Sequence, residues 1–450
     1  MKRTLILPKR IVTANKSDAI LYNHAIEIHD SIIKAIRPVS ESDVQQFDGE
    51  IVRSENLTVV PGFVQTHIHL CQTLFRGLAD NLELLDWLQK RIFPCENAHS
   101  PSSLRASVQL GLYELMKGGT TTLLDMGTMR HQETVFDELI SSGMRAVAGK
   151  CMIDENDLYP TFCSDTITEL YSSYDLAKAF HNYDDGRIKY GFAPRFVLSC
   201  SEKLLIETKG LMKDFEGSIL HTHSSENKSE IEEVRRRHNR ENIDYFDSIN
   251  LLDDHSVFAH CIHVNDKEIG LLREKQGRVS HCPSSNLKLA SGIAPIHRYL
   301  KEGVHVSLGA DGAPCNNTLS IFNEMRLAAL LQKPFNGPLS TDAKTVFRMA
   351  TIKGAEALHL QDSIGSIEVG KKADLSFIDL QSPLFPAHES DDTVYSSIVY
   401  SATAEHVTDV MINGKWVVRN SEHTSYDKNQ ILSNAKAELG SLIQRAQVQV

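Results

Sequence analysis

Two histidines stand two residues apart where an apolar run of the chain ends. Residues 59–77 read VVPGFVQTHIHLCQTLFRG, so that His67 and His69 follow the pair Pro61-Gly62. Side chains alternate between the two faces of a strand, and both imidazoles would therefore point into the same space. Neutral imidazole is a good ligand for zinc and related ions. The spacing predicts half of the ligand set of a metal site, with the other ligands further along the chain.

The segments around this pair alternate in the way that strands and helices do. Residues 1–58 contain short apolar pieces separated by polar turns, which predicts a small β-domain. From residue 59 onward, short apolar strands alternate with longer amphipathic segments, the pattern of a parallel α/β sheet or barrel. Eight candidate strands cover residues 58–69, 120–126, 145–153, 188–196, 218–223, 256–263, 278–282 and 304–311. Eight strand-helix units in about 300 residues predict a (β/α)₈ barrel.

Reactive side chains recur at the carboxyl ends of these predicted strands. Strand one ends in His67 and His69, strand five in HTHSSE (221–226), strand six in HCIH (260–263) and strand eight in Asp311. The carboxyl ends of barrel strands share one face, where barrel enzymes place their active sites. The recurrence therefore predicts a single active site built from several strands.

Composition limits the classes of partner. The net charge of −11 and the isoelectric point near 6.0 disfavour binding to nucleic acids and to anionic membranes, which need a positive field. The eight cysteines include no C-x-x-C pair, so we expect free thiols in a reducing compartment. No apolar run approaches the roughly 20 residues that span a bilayer. We expect a cytoplasmic protein that acts on a small molecule, without nucleic-acid or membrane partners.

Longer motifs carry a resemblance to a known family. They are PGFVQTHIHL (61–70), LLDWL (84–88), HTHSSE (221–226), AHCIHV (259–264), HCPSSNLKLASGIAPI (281–296), LGADGAPCNNTLSIFNEMRLAALLQK (308–333) and IGSIEVGKKADLSFIDL (364–380). In these motifs the chain resembles the amidohydrolase superfamily, in its branch of triazine hydrolases and amino-purine deaminases. The resemblance implies a barrel over residues 59–363 and one β-sandwich domain from residues 1–58 and 364–425. We expect a C-terminal helix in residues 426–450.

The resemblance also implies a site for a single metal ion. Its ligands would be His67, His69, His223 and Asp311, with zinc as the first choice of ion and ferrous iron as the second. Relatives with two metals carry a modified lysine at the end of strand four, where residues 193–196 here read APRF. One divalent ion is therefore expected.

Catalytic roles follow from the same resemblance. Glu226 would carry protons to a ring nitrogen and to the leaving ammonia, and His260 would hydrogen-bond the attacking oxygen. Asp311 would accept a proton from water. Three further histidines stay open between packing and support of the ligands: His221, His263 and His281.

Two sets of residues indicate different substrates. Gln72, Arg195 and Phe196 are similar to the residues with which guanine deaminases hold the purine, whereas residues 310–333 resemble deaminases of adenosine-type thioethers. Trp87 matches an active-site tryptophan of the latter enzymes, and Cys315 stands where serine is common. The first expectation is a guanine-like purine.

Other functions stay open beside this expectation. One alternative is an adenosine-type substrate such as S-adenosylhomocysteine or methylthioadenosine, and another is a chloro- or amino-substituted s-triazine. A non-enzymatic scaffold is disfavoured, because all four expected ligands and Glu226 are present. Family habit favours a homodimer or a larger homo-oligomer.

Overall fold

Eight parallel strands form the central sheet of the computed structural model, which describes residues 2–387 and 390–448. Called barrel strands 1 to 8 in chain order, they are Phe63–Ile68, Thr120–Asp125, Arg145–Ala148, Ile188–Pro194, Ile219–Ser224, Ser256–His260, Arg278–His281 and His305–Leu308. Each strand pairs with its neighbours in chain order, and Cys151–Met152 adds to the edge of strand 4. The Asp311 N–H donates to the His67 carbonyl at 3.0 Å, which joins strand 8 to strand 1. The predicted (β/α)₈ barrel is confirmed.

Helices follow the barrel strands, and several of them begin at side chains that cap free backbone N–H groups. Asn227 and Asn265, for example, accept hydrogen bonds from the first turns of helices Lys228–His238 and Asp266–Glu274. The other α-helices of five or more residues are Glu41–Gln45, Phe93–Asn97, Pro101–Lys117, Gln132–Ser142, Thr166–Phe180, Glu202–Met212, Asn242–Ser248, Pro283–Lys288, Ile296–Glu302, Ile321–Leu331, Ala343–Met349, Ile352–Ala357, Asp391–Ser396 and Lys428–Ala446. Two five-residue segments, Leu88–Ile92 and Ser397–Ser401, are π-helical. One-turn helices are Leu84–Trp87, Tyr183–Gly186, Ala313–Asn316 and Lys333–Asn336, and the segment after His69 is the 3₁₀-helix Leu70–Phe75.

Both ends of the chain contribute to a second, mixed sheet. Its strands are Arg3–Val12, Ile20–Tyr22, His24–His29, Ile32–Pro38, Glu50–Pro61, Leu375–Asp379, Val407–Ile412, Lys415–Arg419 and Glu422–His423. Glu50–Pro61 joins the two ends, because it pairs in parallel with Arg3–Val12 and antiparallel with Leu375–Asp379. Apolar side chains from both ends, among them Ile6, Val59 and Phe377, form one buried cluster. This is the composite β-domain that the sequence predicts.

The first predicted barrel strand, residues 58–69, is two strands in the structure. Glu50–Pro61 belongs to the mixed sheet and Phe63–Ile68 to the barrel, with Gly62 between them. The Gly62 N–H donates to the Asp374 carbonyl at 2.9 Å, and a β-carbon at Gly62 would lie 2.1 Å from the Thr121 hydroxyl oxygen. The glycine therefore lets the chain pass closely from one sheet to the other, which the uninterrupted apolar pattern conceals.

A buried ion pair ties the two sheets together. The guanidinium of Arg145, on barrel strand 3, donates from Nε and Nη2 to Asp374 at 2.7 and 3.0 Å.

Of the helices in the described part of the chain, none combines the length and the apolar character needed to cross a bilayer. All eight cysteines are free thiols, and seven of them are buried.

Candidate active site

Four side chains converge where the carboxyl ends of barrel strands 1, 5 and 8 meet. The Nε2 atoms of His67 and His69 lie 3.2 and 3.4 Å from Asp311 Oδ1. His69 Nε2 lies 3.1 Å from His223 Nε2, and the donor atoms of all four residues are within 4.8 Å of one another. Three imidazoles and one carboxylate in this arrangement form a donor set suited to a divalent transition ion.

Hydrogen bonds on the far side of the rings orient two of these imidazoles. His223 Nδ1 lies 2.8 Å from the Arg195 carbonyl, which can only accept, so Nδ1 carries the hydrogen and Nε2 holds the lone pair. His67 Nδ1 contacts His221 Nε2 at 2.8 Å, whereas the buried His67 Nε2 has no hydrogen-bond partner among the described residues. Burial lowers the pKa of His67, His69 and His223, which favours neutral rings. The residues present therefore fit a bound cation.

Strained backbone surrounds the donor set. Ser225, His260, Cys261 and Asp311 have φ values of 54°, 74°, 45° and 63°, in the left-handed region that non-glycine residues seldom adopt. Each such residue costs about 1–3 kcal/mol and persists where the surrounding structure holds it. The turns after strands 5, 6 and 8 thus aim side chains that regular strand geometry would not direct to the same place.

Two further titratable groups stand beside the donor set. Glu226 Oε2 lies 3.5 Å from His260 Nε2, which in turn lies 3.8 Å from Asp311 Oδ2. Burial, and then the charge of Asp311, raise the pKa of Glu226 well above its usual value, which favours a neutral carboxyl that can donate a proton. His260 Nδ1 is held by Asn286 Oδ1 at 2.9 Å, and the Glu226 backbone N–H donates to Glu230 at 2.8 Å.

A cavity opens onto these groups. Its wall combines predicted site residues with an apolar set that the sequence analysis missed. The lining residues are His69, Leu84, Trp87, Leu88, Arg195, Phe196, His223, Glu226, His260, Leu289 and Asp311. Leu84 and Leu88 flank Trp87 within the LLDWL motif, so the helical spacing of that motif could have indicated them.

Two predicted substrate residues do not line this cavity. Gln72 is fully buried and its Nε2 donates to Glu96 Oε1 at 2.7 Å. Cys315 is also fully buried, and its thiol donates to the Gly312 carbonyl at 3.0 Å. The structure thus places both side chains in hydrogen bonds within the protein.

Glu96, which the sequence analysis did not single out, binds Gln72 and Arg195, two of the side chains that were predicted to hold the substrate base. Its carboxylate accepts from Arg195 Nη1 at 2.8 Å and from Nη2 at 3.3 Å, besides accepting from Gln72. Both side chains of the ion pair are buried. The fork of the Arg195 guanidinium is therefore occupied by Glu96. A signal was present in the sequence, since Glu96 follows the apolar run Phe93-Pro94-Cys95 on a segment that would be buried.

The three histidines whose roles the sequence left undecided, His221, His263 and His281, have different surroundings. His221 contacts the ligand-type residue His67, as described above. His263 is half-buried and its Nε2 donates to the Ser291 carbonyl at 2.7 Å. His281 is buried, with neither ring nitrogen hydrogen-bonded in the described structure, and burial lowers its pKa to about 3.

A parallel barrel whose carboxyl-end face gathers four imidazoles and two carboxyl groups beside one cavity has the architecture of a hydrolytic enzyme. The sequence matches the model of the Amidohydrolase family over residues 58–417. The chain therefore belongs to the amidohydrolase family, and its similarity to deaminases over most of its length makes it a hydrolytic deaminase.

Individual relatives are similar over nearly the whole chain. A 5-methylthioadenosine/S-adenosylhomocysteine deaminase of Thermodesulfovibrio yellowstonii is 35% identical over 441 residues, which cover 96% of this chain and 97% of the relative. A 5'-deoxyadenosine deaminase of Methanothermobacter thermautotrophicus is 38% identical over 386 residues, covering 85% and 87% of the two chains. The crystal structure of a zinc-bound adenosine deaminase from Xanthomonas campestris superposes with a TM-score of 0.91 at 30% identity, covering 98% of each chain.

Proposed function

We propose that this protein is a metal-dependent deaminase that releases ammonia from an adenosine-type nucleoside, such as 5'-methylthioadenosine, S-adenosylhomocysteine or 5'-deoxyadenosine. The observation that carries the proposal is the placement of Glu226 and His260 in one cavity with three of the four donor residues, His69, His223 and Asp311. The guanine-like purine that the sequence analysis put first is not supported. The relatives favour the adenosine alternative instead.

His67, His69, His223 and Asp311 would hold a single divalent cation. Zinc is the first choice of ion and ferrous iron the second. When bound, such an ion lowers the pKa of a coordinated water from 15.7 toward about 7 and so supplies a nucleophile at neutral pH. No lysine stands among residues 193–196 at the end of barrel strand 4, which supports one ion rather than two.

The side chains around the cavity account for the proton transfers of deamination. Asp311 accepts one proton of the attacking water, while the neutral carboxyl of Glu226 donates to the ring nitrogen next to the amino-bearing carbon. His260, 3.5 Å from Glu226 and 3.8 Å from Asp311, hydrogen-bonds the oxygen between them. A new C–O bond forms and the C–N bond to the amine breaks. The remaining hydroxyl proton of the adduct returns to Glu226 and the proton on Asp311 passes to the amine, so that ammonia leaves, the ring nitrogen keeps the proton that Glu226 gave it, and both carboxyl groups return to their starting states.

The wall of the cavity supports an amine-bearing base. Trp87 and Phe196 offer aromatic faces to a heterocycle, and Leu84, Leu88 and Leu289 keep water away from it. A free Arg195 fork would favour a carbonyl edge, as in an oxopurine, but Glu96 occupies that fork and neutralises its charge. A neutral wall matches adenine better than guanine.

The test is ammonia release by zinc-reconstituted protein. The panel contains 5'-methylthioadenosine, S-adenosylhomocysteine, 5'-deoxyadenosine, adenosine and guanine, with an amino- and a chloro-s-triazine as probes of the remaining alternative. We expect release from the adenosine compounds and at least tenfold less from guanine. Release from guanine alone, or chloride release from the triazine without any deamination, would overturn the proposal.

Glu226→Gln is the matched catalytic variant. Losing a positioned acid or base typically lowers the rate by about 10²–10⁴-fold, so kcat should fall by that factor while zinc content is retained. Glu233→Gln, on the helix that follows Glu226, changes a carboxylate that is bonded to Arg236 and Arg237 outside the cavity and should leave kcat unchanged.

Other expectations stay predictions. They concern the domain boundaries at residues 58, 363 and 425, the cytoplasmic location, and a homodimer or larger homo-oligomer.

A further inference from the structure

A second group of metal-ligating side chains lies at the amino end of barrel strand 6, the end away from the active site. This amino-end cluster consists of Asp254, His255 and His359, which are half-buried and offer donor atoms within 4.8 Å of one another. His255 directly precedes strand 6, whereas His260 ends it. At about 3.3 Å per residue, about 16 Å separates the cluster from the active site along the strand.

Hydrogen bonds leave one nitrogen of each imidazole free to bind a cation. His255 Nδ1 lies 3.1 Å from the Ser218 carbonyl, and His359 Nε2 lies 2.8 Å from the Asp254 carbonyl. A carbonyl only accepts, so these nitrogens carry the hydrogens and the opposite nitrogens of the neutral rings hold lone pairs. Metal-binding histidines show this arrangement, with the far N–H bonded to a carbonyl or carboxylate. Burial also lowers the pKa of His359, which favours the neutral ring.

The backbone at His359 is strained. The residue follows helix Ile352–Ala357 and its cap Leu358, and it has a φ of 52°, in the left-handed conformation in which helices usually end on glycine or asparagine. Strained positions of this kind cluster at ligand-binding and other functional sites. Here the strained backbone brings the His359 ring onto that of His255, with ring centres 4.1 Å apart and planes 8° from parallel.

The carboxylate of Asp254 completes the donor set. In the described part of the chain, the carboxylate oxygens of Asp254 make no hydrogen bond or ion pair, although its backbone carbonyl accepts from His359 and Arg278. Two neutral imidazoles and one carboxylate suit borderline divalent ions such as zinc, with water in the remaining position.

We propose that Asp254, His255 and His359 form a second transition-metal site that binds zinc or a similar divalent ion. Small rotations of the half-buried side chains would draw the donor atoms onto one ion. Because Asp254 and His359 are 105 residues apart, the ion would tie the start of barrel strand 6 to the segment after helix Ile352–Ala357. The site is independent of the deaminase proposal, since it contains no residue of the active-site cavity.

The test is zinc stoichiometry of the full-length protein after equilibrium dialysis against zinc, measured by elemental analysis. We expect two zinc ions per wild-type chain and one in His359→Gly. The glycine suits the left-handed backbone, so this variant should fold, and His255→Gln provides a second variant without any backbone change. Zinc should raise the Tm of the dialysed wild type above that of protein loaded with one equivalent, and this second increment should disappear in both variants.

His131→Gly is the matched control. His131 is also half-buried and left-handed, with a φ of 60°, but it belongs to no group of metal-ligating side chains in the described structure. The His131→Gly variant should keep two zinc ions per chain. One zinc ion in the wild type, or two retained in either cluster variant, would overturn the proposal, whichever substrates the enzyme accepts.

Discussion

The ion pair between Glu96 and Arg195 allows a sharp test of how the wall of the active site is held. Replacing Glu96→Gln keeps the shape of the side chain and removes its charge. The side chains of Arg195 and Glu96 are 3% and 0% exposed, so the variant leaves the guanidinium buried without a counter-charge. Glutamine can still accept the hydrogen bond from Gln72 Nε2, which limits the change mainly to the charge.

The expected loss of stability is about 4 kcal/mol. Two unit charges about 4 Å apart attract by about 4 kcal/mol at an effective dielectric constant near 20. Removing one partner of a buried pair typically costs about 3–5 kcal/mol, because the remaining charge stays desolvated. The two figures agree. Adding Arg195→Met to Glu96→Gln should recover much of the loss, since it removes the unpaired charge.

Tryptophan fluorescence during urea unfolding measures this loss. The chain has two tryptophans, and in a Trp416→Phe background the signal comes from Trp87 alone, in the wall of the active-site cavity. Glu233→Gln serves as the control, because its ion pairs with Arg236 and Arg237 are partly exposed and should be worth less than about 1 kcal/mol. A loss below about 1 kcal/mol for Glu96→Gln would refute the reasoning that the Arg195 fork depends on Glu96.

Further predictions concern the residue that supports metal ligand His67, the glycine between the two sheets, and the dependence of stability on pH. His221→Ala removes the partner of His67 Nδ1 and should weaken zinc binding about 10–100-fold in a chelator competition, and unchanged affinity would contradict a supporting role for His221. Gly62→Ala forces a β-carbon against Thr121 and should cost about 1–3 kcal/mol in urea unfolding, with partial rescue by Thr121→Ala. Burial raises the pKa of Glu268 from 4.5 to about 7, so the stability it contributes is present below pH 4.5 and is lost as pH rises through 7. Urea midpoints at pH 4.5 and 7.5 should therefore fall less with pH in Glu268→Gln than in the wild type, and equal slopes would contradict the shift.

Much of the barrel and its donor set could be predicted because the signals are local. A strand alternates its faces every residue, so His67 and His69 could be assigned to one metal from their spacing. The carboxyl ends of parallel strands share a face, which grouped His223, His260 and Asp311 before their distances were known. The mixed sheet from both chain ends was predicted from motif resemblance, since no local pattern reports pairing between Glu50–Pro61 and Leu375–Asp379.

The sequence by itself determined which strand ends carry reactive groups and that they face one cavity. Only the tertiary structure decided what those groups contact. Glu96 and Arg195 are 99 residues apart in the sequence. Because Glu96 neutralises the charge of Arg195 and occupies its guanidinium, Arg195 is not free to bind the substrate base as the sequence predicted. Gln72 and Cys315 likewise form hydrogen bonds within the protein. His255 and His359 lie on separate segments, and their rings stack in the folded chain. The physical reason is that periodicity specifies the direction of a side chain on its own element, whereas its partner depends on how distant segments pack.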